Sequence, residues 1–259
     1  MKLLLKIQYD GSGFCGYQVQ PNVRSVQGEL NRAAYELFRC DCNITGCSRT
    51  DSGVHALSFF ATVEPKSTEH SNIPTRNVVR AFNSILPDDI SVICAYEVDD
   101  NFHARYDVIS KEYVYLMTDT NHKDPFFNKR ALQLPRPLSD DQIARVNLAC
   151  KQLVGEYDFT SFMSEGSKIT DATREIYHAS ISRLSVPRGL IVFKISANGF
   201  LYNMVRIIVG TMLDVAYGKM EPDAIRFIIE QKNRSLAGQT VPPDGLYLKK
   251  VTYSDKNIM

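Results

Sequence analysis

The chain has 259 residues, of which 44% are hydrophobic and 23% are charged, and its formal net charge is +1. These values are typical of a globular protein with one large domain or two smaller ones. Because the net charge is small, any nucleic-acid partner would have to bind a local basic patch. No apolar run reaches the length of a membrane span, and the N-terminus lacks the cleavage pattern of a signal peptide. We therefore expect no membrane association and a cytoplasmic location.

The first half of the chain contains predicted elements in the order βαββαβ, which is the order of a ferredoxin-like unit. Alternating apolar residues predict its strands, at Lys2 to Tyr9, Cys42 to Cys47, Leu57 to Val63 and Ile90 to Val98. The first predicted helix begins after Ser25, whose side chain suits an N-cap. The second helix runs from Thr75 to Leu86, and Pro87 ends it.

The second half has a similar order of elements. Its predicted strands are Glu112 to Met117, Glu175 to Leu184, Leu190 to Ala197 and Leu246 to Tyr253. Ser139 and Gln142 form a capping box at the start of one helix, and two further helices are predicted at Asn203 to Ala216 and Asp223 to Gln231. The order is βαββαβ again with an extra helix, although the sequence shows no residue-level repeat.

We therefore predict an α+β fold of two ferredoxin-like (RRM-like) βαββαβ halves, with mainly antiparallel sheets joined side by side. Residues 1–104 form the predicted N-terminal domain and residues 105–259 the predicted C-terminal domain. Two such sheets would form a long platform with a cleft between them.

Residues 11–16 read Gly-Ser-Gly-Phe-Cys-Gly and fit the G-x-G-x-x-G pattern of dinucleotide-binding proteins. In those proteins the third glycine opens a helix whose N-terminus binds the pyrophosphate. Here Pro21 intervenes, and the helix signal begins only at Ser25. We therefore predict a glycine-rich turn that allows close backbone approach, and no nucleotide cofactor.

Three cysteines, Cys40, Cys42 and Cys47, lie close enough in sequence to suggest a zinc site. Their spacing is not C-x-x-C, and His55 is the only nearby imidazole. In a cytoplasmic protein such thiols are reduced. We expect ordinary buried thiols and no bound metal.

Residues 46–56 are the most informative segment, because Asp51 lies there in a run of turn formers and small polar residues. One interpretation is a turn aspartate that bonds its own backbone. The other is a displayed nucleophile, since Arg49 would favour the ionised carboxylate and Gly53 permits an unusual backbone angle. His55 begins the next strand and could orient the loop. An ionised, fixed carboxylate suits nucleophilic attack better than general-acid catalysis, so we expect the chemistry at Asp51.

Two segments interleave basic and aromatic residues, Phe102 to Tyr106 and Lys111 to Tyr115. This pattern suits contact with phosphates and stacking on bases, although a half-exposed strand would give the same pattern. Arg206 lies in the first turn of a strongly apolar helix. Because burying an unpaired arginine is expensive, we expect it to face a carboxylate or a phosphate unless its side chain reaches the surface.

Taken together, these segments resemble the TruA family of tRNA pseudouridine synthases over nearly the whole chain. The most specific block is Arg49 to Ala56, which reads Arg-Thr-Asp-Ser-Gly-Val-His-Ala. The other shared segments are Tyr9 to Gly11, Gly16 to Gln20, Val26 to Gln27, Phe102 to Arg105, Tyr113 to Tyr115, Met204 to Arg206 and Pro243 to Leu248.

The resemblance implies isomerisation of uridine to pseudouridine in the tRNA anticodon arm, typically at positions 38 to 40, without a cofactor. It also implies a homodimer in which both subunits contact one tRNA. Asp51 matches the catalytic nucleophile, and Arg49 matches the neighbouring arginine that helps to displace the base. Arg206 matches the arginine paired with the catalytic carboxylate, and Tyr113 matches the tyrosine that packs on the target uracil.

Three further residues of the shared segments are expected to contact the substrate, namely His55, Arg105 and Leu246. The chain departs from the family pattern at Tyr17, where tryptophan is usual, and at Ser48, where glycine is usual. An arginine is common in the family near Lys111 and Glu112, and Ala216 replaces a frequent glycine. These departures affect none of the expected catalytic groups and leave the exact target uridines open.

Two other functions explain part of the same sequence. A non-catalytic RNA-binding protein would account for the interleaved basic and aromatic residues but would give Arg49 and Asp51 no role. A nucleotide-dependent oxidoreductase would account only for the glycine-rich turn.

Overall fold

The computed structural model describes residues 2–67, 73–166, 169–185 and 189–254. The chain forms two compact units, one of residues Met1–Ser110 with Tyr247–Met259 and the other of residues Lys111–Leu246. The described residues contain both helices and mostly antiparallel strands, so the predicted α+β class is confirmed. None of the helices in the described part of the chain is both long and apolar enough to cross a membrane.

The N-terminal unit has the strand order of a ferredoxin-like fold. Its elements are β1 (Lys2–Tyr9), α1 (Val26–Phe38), β2 (Cys42–Gly46), β3 (His55–Pro65), α2 (Thr75–Asn83), β4 (Ile90–Val98) and β10 (Leu246–Tyr253). β1 pairs antiparallel with β3 and β4, and β2 pairs antiparallel with β3, which gives the order β4-β1-β3-β2. The first residues of β3 extend beyond β2 and pair in parallel with β10, with His55 opposite Tyr247.

Local sequence explains where the helices of this unit begin and end. Ser25 caps α1 as predicted, because its hydroxyl accepts a hydrogen bond from the Gly28 N–H at 3.2 Å. Arg39 ends the helix in a left-handed conformation with φ of 55°. The side chains of Val26 and Leu30 then lie on the buried face of α1.

The strands of the C-terminal unit are mainly antiparallel and follow the order β5-β9-β8-β7. Its elements are β5 (Val108–Thr118), β6 (Leu132–Gln133), α3 (Asp140–Leu153), β7 (Gly155–Asp158), β8 (Thr173–Arg183), β9 (Leu190–Ala197), α4 (Met204–Ala216) and α5 (Ala224–Gln231). β9 pairs antiparallel with β5 and with β8, and β7 pairs antiparallel with β8. The predicted capping box is confirmed, since Ser139 and Gln142 exchange hydrogen bonds at the start of α3.

The compact units differ in their bounds from the predicted division after residue 104. Residues 105–110 and 247–259 belong to the N-terminal unit. The last strand joins it because β10 pairs with the start of β3, a parallel contact between distant segments that periodicity does not encode. The assignment of separate roles to the two predicted domains stays a prediction.

Candidate active site

Asp51 lies in the connection between β2 and β3, which we call the aspartate loop (residues 47–54). Its side chain is half-buried, whereas Arg49 is exposed. The Val54 N–H donates to the Asp51 carbonyl at 3.2 Å and closes the turn in front of β3. The aspartate loop therefore presents the side chains of Arg49 and Asp51 just before the buried strand β3.

Backbone hydrogen bonds fasten the aspartate loop to the segment that follows β1. The Tyr17 N–H donates to the Thr50 carbonyl at 3.1 Å, and the Gly53 N–H donates to the Phe14 carbonyl at 3.2 Å. The two bonds hold the backbone on either side of Asp51, so its carboxylate projects from a fixed turn rather than from a free loop.

The glycine-rich turn of residues 11–16 packs directly on the aspartate loop. A Cβ atom at Gly11 would overlap with the carbonyl oxygen of Val54, so only glycine allows this approach. The predicted close backbone approach is confirmed, and the surface approached is the aspartate loop. Gly11–Gly13 form one short 3-10 turn, and α1 begins only at Val26, so the third glycine does not open an α-helix.

His55 is 2% exposed and lies between this turn and β10. Its Nδ1 accepts a hydrogen bond from the Gly11 N–H at 3.0 Å, and its ring stacks on Tyr247 with centroids 4.5 Å apart and planes 16° apart. Nδ1 also lies 3.2 Å from Oδ1 of Asp10. The substrate contact expected for His55 stays a prediction.

Arg206 lies in the first turn of α4, as predicted, and its guanidinium is half-buried. Its Nε donates to the Val241 carbonyl at 2.7 Å, and its Nη1 donates to Oδ1 of Asn203 at 2.7 Å. Asn203 precedes the helix with φ of 59°, which turns its amide toward the arginine. These two bonds fix the plane of the guanidinium. The predicted pairing of Arg206 with Asp51 would join the two units and stays a prediction.

A close contact between α4 and the segment before β10 places Val241 beside Arg206. A Cβ atom at Gly210 would overlap with the Gln239 carbonyl oxygen, so the two backbones touch at this point. The Gly238 N–H donates to the Thr211 hydroxyl at 2.9 Å. Gly210 and Thr211, one turn further along α4, thus position Val241 beside Arg206.

Two tyrosines of β5 are buried in the C-terminal unit. Tyr113, the predicted base-stacking residue, is 6% exposed and packs edge-on against Phe200 at 5.1 Å between centroids. The Tyr115 hydroxyl donates to the Pro242 carbonyl at 2.7 Å. Burial raises the pKa of Tyr115, and the nearby positive charge of Arg206 opposes that rise. Tyr115, which the sequence analysis only placed on the face of Tyr113, therefore belongs to the surroundings of Arg206.

The other two predicted substrate contacts differ in exposure. Arg105 is exposed in a turn before β5, where its backbone N–H donates to Nδ1 of His103 at 3.1 Å. Tyr106 beside it is 76% exposed. Phe102 to Tyr106 lie in a turn, so a half-exposed strand does not explain the interleaved basic and aromatic residues there. Lys111 to Tyr115 do lie in a strand. Leu246 is buried at the start of β10.

The six cysteines all lie in the described part of the chain, and none of them forms a disulfide bond there. Cys47 is buried, and its Sγ accepts a hydrogen bond from the Phe60 N–H at 3.3 Å. Within the described ranges, no group of three or more histidine, cysteine, aspartate or glutamate residues is arranged to hold a metal ion.

The fold and the fastened aspartate loop define an α+β protein with a candidate nucleophile on a preorganised turn. A family model described as tRNA pseudouridine synthase matches residues 6–107 and 149–254. The chain belongs to this family. The matched residues include the aspartate loop, Arg105, Arg206 and Leu246, whereas Tyr113 lies between the two matched segments.

Curated relatives are similar over their full length. The "tRNA pseudouridine synthase A" of Caldicellulosiruptor bescii is 43% identical over 97% of this chain and 99% of the relative. The protein of the same name from Bacillus pumilus is 41% identical over 98% of this chain and 100% of the relative. That from Caldicellulosiruptor saccharolyticus is 41% identical over 97% and 99%.

Proposed function

We propose that this protein isomerises uridine to pseudouridine in the anticodon arm of tRNA, at positions 38, 39 and 40. The observation that carries the proposal is the family match that includes Arg49 and Asp51. Membership of the tRNA pseudouridine synthase family supports a reaction on a uridine of tRNA. The fixed position of the aspartate loop supports Asp51 as the residue that carries out the reaction. The anticodon arm and its three positions come from the resemblance found in the sequence.

The reaction requires no external group. The bond from N1 of uracil to C1′ of the ribose breaks, the base rotates, and a new bond forms between C5 and C1′. A proton leaves C5 and one is gained at N1, so there is no net oxidation and we expect no cofactor. The uridine must first leave its stack, which costs a few kcal/mol. Asp51 would then attack the sugar carbon, attack the uracil ring or abstract a sugar proton, and these three routes remain open.

We assign the remaining roles by position in the shared motifs. Arg49 helps to displace the target base, and its exposure suits contact with RNA. Arg206 stabilises the ionised carboxylate of Asp51, with its guanidinium held by the two hydrogen bonds described above. Tyr113 packs on the uracil, and Arg105 contacts the tRNA backbone from its exposed turn.

Leu246 contacts the substrate, as its place in a shared segment implies. We further propose a cytoplasmic homodimer in which both subunits contact one tRNA. Light scattering after size-exclusion chromatography tests the dimer, since it should give twice the mass of one chain. A mass of one chain without tRNA, together with a mass of one chain plus one tRNA in the complex, would contradict it.

The central test uses unmodified tRNA and maps pseudouridine at nucleotide resolution. The wild type should modify one or more of the three positions. Asp51→Asn should retain the fold and tRNA affinity but lose turnover by at least about a thousandfold. Asp88→Asn, an exposed carboxylate in the same unit, is the matched control and should retain activity. Appreciable turnover by Asp51→Asn contradicts the nucleophile assignment, and tRNA binding by a wild type that forms no pseudouridine favours the non-catalytic RNA-binding protein.

A second test separates catalysis from binding at Arg206. Arg206→Ala should lower the single-turnover rate more than it lowers tRNA affinity. Arg206→Lys is the matched variant, because it keeps the charge but not the fork of donors that reaches Val241 and Asn203. Loss of affinity alone in Arg206→Ala would indicate a phosphate contact instead.

A further inference from the structure

His55 joins three segments of the N-terminal unit that meet at the aspartate loop. It follows Val54 directly in the chain, accepts a hydrogen bond from the Gly11 N–H, and stacks on Tyr247. The parallel pairing of β3 with β10 places His55 and Tyr247 opposite each other. A side chain with these contacts fixes how the glycine-rich turn and the last strand sit against the loop.

The contacts of His55 reach Asp51 through the backbone. Gly11 lies so close to the Val54 carbonyl that the turn and the loop cannot move independently. The Val54 N–H donates to the Asp51 carbonyl. A displacement of the imidazole would therefore shift Gly11, then Val54, and then the backbone that carries the carboxylate.

His55 and Asp51 differ in how far they are buried. His55 is 2% exposed, whereas Asp51 is half-buried on the same loop. A ring whose neighbours are the glycine-rich turn and Tyr247 is suited to hold the loop.

We propose that His55 is a positioning residue for Asp51 rather than a substrate contact, and that Tyr247 acts through it. The inference rests on the proposed function for its catalytic readout. The acceptor at Nδ1 fixes the Gly11 amide, and the stack on Tyr247 fixes the tilt of the ring.

The first test compares His55→Leu with His55→Asn. Leucine removes the acceptor and leaves the Gly11 N–H unpaired, whereas the amide oxygen of asparagine restores an acceptor close to the position of Nδ1. Because a misplacement of about 1 Å can lower a rate about a hundredfold, we expect His55→Leu to reduce the single-turnover rate by about 10- to 100-fold. His55→Asn should recover at least about fivefold of that loss, and both should bind tRNA within about twofold of wild type.

Val63→Ala is the matched control for simple destabilisation. Val63 is buried in the same strand as His55 and lies near its opposite end. It should lower the melting temperature while the rate per folded molecule stays at the wild-type value. If His55→Leu lowers only the melting temperature, the role of His55 is structural only. If His55→Leu weakens tRNA binding as much as it lowers the rate, His55 is a substrate contact. Either outcome overturns the proposal.

Hydrogen exchange gives a readout that does not depend on activity. His55→Leu should speed amide exchange at Gly11 and in residues 50–54, and His55→Asn should restore protection at Gly11. Tyr247→Leu should also speed exchange in the loop, whereas Tyr247→Phe, which keeps the stacked ring, should not. Unchanged exchange in His55→Leu overturns the positioning role, whatever the activity of the wild type. A wild type that forms no pseudouridine would contradict the proposed function and leave the exchange test valid.

Discussion

Two buried tyrosines that share one partner should respond in opposite directions to loss of the hydroxyl group. Tyr17 stacks on Phe59 at 4.4 Å between centroids, and Tyr9 packs on the same ring at 5.7 Å. The Tyr9 hydroxyl shares a hydrogen bond of 2.8 Å with the Thr50 hydroxyl. The Tyr17 hydroxyl is buried and has no hydrogen-bond partner among the described residues. Burial is the main cause of a raised pKa for Tyr17 and the nearby Cys47 adds to it, so the hydroxyl stays neutral.

The size of the effect follows from these contacts. An unpaired buried hydroxyl costs about 1–3 kcal/mol, so Tyr17→Phe should stabilise the protein by about 1 kcal/mol after the lost packing of one oxygen atom. Tyr9→Phe breaks a buried hydrogen bond and leaves the Thr50 hydroxyl without that partner, so it should destabilise by about 1 kcal/mol. The two variants should therefore differ by about 2 kcal/mol, or roughly 4–8 °C in melting temperature for a chain of this size.

Thermal and urea unfolding, followed by circular dichroism, measure both variants against the wild type. Each variant removes one oxygen atom from the same aromatic cluster, so Tyr9 serves as the matched control for Tyr17. A Tyr17→Phe protein that is about 1 kcal/mol less stable than wild type would refute the reasoning, since the hydroxyl must then make a favourable interaction. Equal effects in the two variants would refute it as well.

Three other predictions concern backbone contact, an ion pair with a buried carboxylate, and thiol reactivity. Gly11→Ala should lower both stability and turnover because its methyl group meets the backbone of the aspartate loop, whereas Gly13→Ala meets only flexible side-chain ends and should be tolerated in the same assays. Arg183→Met removes the guanidinium that lies 2.6 Å from the buried carboxylate of Asp119, which keeps a hydrogen bond from the Leu138 N–H, so urea unfolding should show a loss of about 1–3 kcal/mol, which Asp119→Leu in the same chain should partly reverse. Burial raises the pKa of the Cys42 thiol to about 12, so alkylation by iodoacetamide, followed by mass spectrometry, should rise about tenfold per pH unit between about pH 8 and pH 10.

The sequence predicts most regular elements because their apolar residues repeat with a clear period. The predicted strand from Leu190 to Ala197 has the bounds of β9, and the predicted helix after Ser25 begins at Val26. The sequence predicts that the second helix ends at Leu86, but α2 ends at Asn83, whose side chain bonds to the backbone of Val92 in β4. β6 and β7 were missed because two and four residues are too short to show a period.

The candidate site is only partly readable from the sequence, for a different reason. Asp51 and Arg49 are recognisable because turn formers and a strand surround them locally. The stack of His55 on Tyr247 depends on a parallel pairing between segments at opposite ends of the chain, which no local pattern encodes. The Asn203 partner of Arg206 lies at helical spacing, but its left-handed backbone could not be read from asparagine alone.

Each unit uses the same physical means to hold a candidate catalytic side chain. Gly11 brings the turn after β1 against the loop of Asp51, and Gly210 brings the segment before β10 against the helix of Arg206. In both places a Cβ atom would overlap with a carbonyl oxygen, so the larger residue would displace the functional segment without touching the functional side chain. The glycine pattern at residues 11–16, which suggested a nucleotide site, is therefore better explained as part of the support for Asp51. Backbone-to-backbone contact gives a stiffer support than side-chain packing, because it has no rotamers through which the carboxylate could relax.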